Sequence, residues 1–123
     1  MSSTSFAGSA RAALDPVVVP AGFVATDYDD AVTWCAAYDD LAEAHPSIAL
    51  PQQRGAGACV DLRLRGEAGR LVEADFEGET LAQALRRAGL ERRAGDVEDM
   101  VGVRVDIAAP VVAAAVAELL SVT

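Results

Sequence analysis

Lysine is missing from this chain: all ten basic side chains are Arg. That excludes a P-loop Lys, a Schiff-base Lys and a Ser-x-x-Lys nucleophile. There is one His, His45, too few for a His-rich zinc site or the paired-His motif of metalloproteases. There are two Cys, Cys35 and Cys59. The opening "MSSTSFAGSARAAL" has no basic segment leading into an apolar one, so no secretory signal is expected. Two Cys in a cytoplasmic chain are expected to be free thiols. The longest apolar run, "APVVAAAVAELL", is about half of the ~20 residues that a membrane span needs.

What is present is apolar and acidic. Hydrophobic residues make up 52% of 123 positions, enough for the core of one domain spanning residues 1–123. Ten Arg with no Lys, beside 26 Ala, is the usage expected of a high-GC bacterial genome. Net charge is −9, and it is unevenly spread. Between Arg11 and Arg54 lie Asp15, Asp27, Asp29, Asp30, Asp39, Asp40 and Glu43 with no basic residue. Such a field repels DNA, RNA and anionic lipid, so neither nucleic acid nor membrane is an expected partner. It favours a protein with a basic surface, a metal, or simply solubility.

The periodicities predict an α+β domain: an antiparallel sheet of about four to five strands with helices mainly on one face. "SFAGSARAALDP" reads as a helix capped by Ser5, buried along Phe6, Ala10, Ala13 and Leu14, and stopped at Asp15-Pro16. "PVVVPAG" reads as extended. In "GFVATDYDDAVTWCAAYDD", residues 22–26 and 31–37 are expected to form a hairpin around "DYDD". The competing reading is a helix with Ala31, Trp34, Cys35, Tyr38, Leu41, Ala42 and His45 on one face. "DDLAEAH" is expected to be helical up to Pro46.

"ACVDLRLR" and "RLVEADFE" alternate strictly and predict a second hairpin. A three-residue loop Glu67-Ala68-Gly69 would set Leu64 opposite Val72, Leu62 opposite Ala74, Val60 opposite Phe76 and Arg63 opposite Glu73. "TLAQALRRAGL" carries a Thr80 cap, a Leu81–Leu85–Ala88 stripe, Arg86 and Arg87 in the last turn, and Gly89 as a left-handed terminator. "DVEDMVG" is expected to be a short helix capped by Asp96, "VRVDI" an extended piece and "PVVAAAVAELLS" a closing helix. The last is apolar nearly all round, so it is central in the core, or the contact of a homodimer through residues 107–120, or its many Ala are simply tolerated at the surface.

No motif specifies a reaction, a metal or a cofactor. "DYDDAV" begins like a calcium loop but puts Val32 where Gly is required and Tyr38 where the bidentate Glu belongs. "RGAGACV" lacks the third Gly of a dinucleotide fingerprint and precedes a strand. Cys35, His45 and Cys59 are the soft ligands and the possible nucleophile and base, at spacings that bring none of them together. What stands out is "DYDDAVTWCAAYDD": four of the six aromatics fall between Phe23 and Tyr38, among acids. These aromatics are either core with solvated ends or an aromatic patch with an acidic rim.

The expected binding residues are Tyr28, Asp29, Asp30, Trp34, Tyr38, Asp39 and Asp40. In charge and size the chain resembles the small acidic bacterial immunity proteins that neutralise basic toxins. The expected function is therefore a non-enzymatic protein-binding module, most concretely immunity- or antitoxin-like. The alternatives are a cytoplasmic domain acting by self-association, and a small enzyme or ligand carrier built on Cys35, His45 or the Asp cluster.

Overall fold

The computed structural model describes residues 6–37 and 59–121. Their elements run α1 (Phe6–Val18), β1 (Val24–Asp27), β2 (Ala31–Ala37), β3 (Cys59–Glu67), β4 (Arg70–Phe76), β5 (Glu79–Thr80), α2 (Leu81–Arg87), α3 (Glu91–Asp99) and α4 (Val105–Ser121). The five strands form one antiparallel sheet in sequence order, β1-β2-β3-β4-β5. The expected α+β class therefore holds.

The alternating pattern decides which face is covered. Val32, Trp34 and Ala36 of β2, Val60, Leu62 and Leu64 of β3, and Ala74 and Phe76 of β4 are buried. They meet α1, α2 and α4 on that side. Among the described residues no polar or charged side chain is buried. The odd-numbered partners Asp61 and Arg63 are exposed on the opposite face.

The first hairpin forms as expected: Asp27 pairs with Val32, and the Tyr28 N–H donates to the Ala31 carbonyl at 2.8 Å, leaving Asp29 and Asp30 as the two turn residues. Strand wins over helix across 31–37 because β2 buries alternate side chains between β1 and β3. The expected helix over "DDLAEAH" lies outside the described residues.

The second hairpin corrects the expected register by two residues. Leu62 pairs with Phe76, Leu64 with Ala74, Arg63 with Asp75 and Arg65 with Glu73. The loop is a two-residue turn, Ala68-Gly69, with φ of 52° and 78°, and a bulge follows in which Val72 is the unpaired extra residue. Two left-handed residues make the turn whose twist matches a hairpin better than a three-residue loop would. Both registers keep the same faces together, which is why alternation alone could not separate them. The bulge turns Leu71 into the core in place of Val72.

The left-handed backbone at Ala68 costs an L-residue roughly 1–2 kcal/mol, and Asn tolerates it better. Ala68→Asn is accordingly expected to stabilise the protein by about 0.5–1 kcal/mol. A higher urea midpoint with an unchanged slope would verify this.

The helices depart from the sequence reading at their ends. α1 does not stop at Asp15-Pro16 but continues to Val18, which is fully buried. Pro16 is exposed, and burial of Val18 outweighs its lost backbone bond. "PVVVPAG" is therefore partly helical. α3 begins at Glu91, not at Asp96, and buries Ala94 and Val97. "VRVDI" shrinks to a single bridge between Arg104 and Arg70, because α4 already starts at Val105 and passes through the exposed Pro110. Thr80 caps α2 as expected, accepting from the Gln83 N–H at 3.2 Å. Gly89 takes φ 82°, and the Leu90 N–H returns to the Leu85 carbonyl at 2.8 Å.

α4 packs between α1 and α3 and buries nine residues, Val105 to Leu120. Most of its apolar residues are thus covered inside the chain, Ile107, Pro110, Ala114 and Ala117 remain exposed, and nothing in the structure supports a homodimer through residues 107–120. No helix among the described residues is long and apolar enough to cross a membrane.

Candidate functional site

Trp34, expected as a surface anchor, is instead fully buried. Its place on β2 opposite Leu62 points it at the helices, and its indole Nε1 donates to Asp15 Oδ1 of α1 at 2.9 Å. A buried Trp needs a partner for its one polar atom, and the acid before Pro16 supplies it. Arg11 completes a chain of contacts. Its Nε donates to Asp15 Oδ2 at 2.9 Å, and its Nη1 reaches Asp27 of β1 at 3.4 Å. Two of the acids counted in the charged span, Asp15 and Asp27, are thereby tied into the fold.

The end of the first hairpin is different. Tyr28 is 58% exposed, and Asp29 and Asp30 beside it are exposed. Their backbone is nevertheless fixed: besides the 28–31 pair, the Asp30 carbonyl accepts from the Gly66 N–H at 2.6 Å. This bond ties the turn to β3. An aromatic ring and two carboxylates are thus held out to solvent on a rigid support, which lowers the ordering cost of binding.

Val24, 69% exposed, extends the apolar part of the surface. It was absent from the expected set, although strand alternation against buried Phe23 could have found it. Its pairing with Cys35 puts it on the open face of the sheet with Thr26 and Tyr28. Tyr38, Asp39, Asp40 and His45 lie outside the described residues. Of the seven expected binding residues the structure thus brings Tyr28, Asp29 and Asp30 together at the surface and assigns Trp34 to the core.

The rest of the open face carries paired charges. Arg65 donates to Glu73 at 2.9 Å, and Arg63 stands opposite Asp75. Partial burial pushes the Asp75 carboxyl above the ordinary carboxylate range, and Glu73 adds to this, while Arg63 and Arg65 oppose it. Half-exposed Cys35 donates through Sγ to Asp61 Oδ1 at 3.0 Å, its cross-strand partner. No group of three or more His, Cys, Asp or Glu able to hold a metal ion occurs among the described residues. The arrangement offers oriented carboxylates, an aromatic ring and an aliphatic side chain, the means of recognising a cationic and partly apolar surface. Comparison with protein-family models, with curated proteins and with solved structures finds no match to this chain.

Proposed function

We propose that this protein is a non-enzymatic protein-binding module that engages a basic partner through the β1–β2 hairpin. The observation that carries the proposal is the exposed Tyr28 beside Asp29 and Asp30 on a turn anchored to β3. The net charge of −9 supports it, because such a field speeds encounter with a cationic protein. Its most concrete form is an immunity- or antitoxin-like role, in which the acidic surface masks a basic one on the partner. Tyr28 is the anchor in this reading, and the two carboxylates form the rim.

The test is capture from a native lysate on the immobilised chain, compared with a Tyr28→Ala, Asp29→Asn, Asp30→Asn variant. A basic protein should be retained at low salt and released as ionic strength rises. The variant should hold it at least about tenfold more weakly, as expected when an aromatic anchor and its rim are lost. Retention of the same proteins by both forms at every salt concentration would remove the proposal.

A further inference from the structure

β1 is an edge strand, paired with β2 on one side. The bond from the Tyr28 N–H to the Ala31 carbonyl makes these two a hydrogen-bonded pair and sets the alternation along the ladder. Thr26–Thr33 and Val24–Cys35 are then the next hydrogen-bonded pairs. The backbone N–H and C=O groups of Ala25 and Asp27 consequently point away from the sheet. Among the described residues no backbone group bonds to them from that side.

Two chemistries alternate along this edge. Val24, Thr26 and Tyr28 face the open side, and Val24 and Tyr28 are large and exposed. Asp27 faces the helix side, where Arg11 reaches it, and Asp29 and Asp30 continue the acidic character beyond the strand. Building on the proposed binding role, we infer that the partner enters as an extended segment that adds to β1 as a sixth strand. Its side chains alternate apolar residues, over Val24 and Tyr28, with Arg or Lys, toward Asp27 and the turn. Main-chain bonds then supply affinity and the alternation supplies specificity. A second copy of this chain fits the edge poorly, because it would bring two acidic hairpins together.

The probe is the acetylated, amidated peptide Arg-Val-Arg-Val-Arg-Val-Arg, followed by amide NMR of the full chain. Chemical-shift changes are expected at residues 24–28, and the Ala25 and Asp27 amides should exchange at least about tenfold more slowly with peptide bound. The same peptide N-methylated at alternate residues keeps the charge but cannot pair, and should bind at least about tenfold more weakly. In the protein, Ala25→Pro removes an outward donor without breaking a β1–β2 bond, a position where an edge strand accepts Pro. It should abolish peptide binding while Trp34 emission and the melting temperature show an intact fold.

Equal binding of both peptides, with changes confined to Asp29 and Asp30, would overturn strand addition and leave the acidic binding surface standing. Lack of any peptide binding would overturn strand addition as well, and the lysate comparison above would then judge the binding role separately. Sedimentation of the free chain as a dimer that Ala25→Pro converts to monomer would show the edge taken by a second copy, which also overturns the inference. Should Ala25→Pro fail to fold, the peptide pair alone decides.

Discussion

Trp34→Ala is expected to remove about 3–5 kcal/mol of stability, the cost of emptying a large aromatic site that the core cannot refill. Trp34 is fully buried between α1 and the sheet, so its loss weakens the contact between layers. The indole hydrogen bond goes with it, but Asp15 keeps its bond to Arg11 and part of its exposure, so the acid is not stranded. The penalty is therefore mainly one of volume. A domain of this size has about 5–15 kcal/mol in all, so the variant should be marginal or unfolded. Urea unfolding followed by far-ultraviolet circular dichroism measures this without the lost fluorophore. The complementary variant Asp15→Ala should cost about 1–3 kcal/mol by leaving the indole N–H without a partner. A Trp34→Ala variant that keeps its midpoint but loses its partner would restore Trp34 to the binding surface.

Gly66→Ala is expected to be nearly as damaging. A Cβ at this position would sit 2.2 Å from Phe6 Cε2 and 2.8 Å from the Arg70 carbonyl oxygen. The ring can shift only by disturbing the start of α1, and the carbonyl belongs to the paired strand. Overpacking of this kind costs typically 1–3 kcal/mol, and a clash with backbone places it at about 3 kcal/mol. Gly66 also stands where the β3–β4 register shifts, and its N–H holds the Asp30 carbonyl. Displacing it should loosen the acidic turn as well as the core. A double-mutant cycle with Phe6→Ala separates the two contacts. The pair should lose less than the sum of the single changes, because the ring clash disappears, but a residual penalty from the Arg70 carbonyl should persist. Strict additivity would mean that the ring contact contributes nothing.

These two residues also mark how legible the protein was. Gly66 breaks the alternation of "ACVDLRLR" in a way that reads locally as the end of a strand. Its role comes from Phe6, sixty positions away in the chain, and no local pattern holds that information. Trp34 stands among acids, and the composition around it favours a surface position. Yet its even-numbered position in β2, in step with Val32 and Ala36, already placed it on the apolar face once the segment was read as a strand. The rim residues Tyr28, Asp29 and Asp30 were legible because turn chemistry and a hairpin put them at a tip. Val24 was legible from alternation against Phe23 once the segment is read as a strand, but the free edge of β1 was not, since a strand becomes an edge only through which strands pair.

The sequence by itself determined the fold class, the two hairpins, the open and covered faces of the sheet, and the cap and stop of α2. Each of these follows from periods of two or 3.6 residues and from side chains acting on backbone a few positions away. Tertiary structure alone decided the register of the second hairpin, where the choice lay between two turns that keep the same faces together. It also decided the lengths of α1 and α4, where burying Val18, Val105 and Ala109 outweighs Pro16 and Pro110 inside the helices. And it decided which side of the apolar C-terminal helix is covered: Val105, Ala108, Val112, Ala115, Val116 and Leu119 pack against α1, α3 and the sheet, while Ile107, Pro110, Ala114 and Ala117 stay exposed. Local pattern says what a segment can bury; only the assembled layers say what it is buried against, and that difference in free energy overrides propensity.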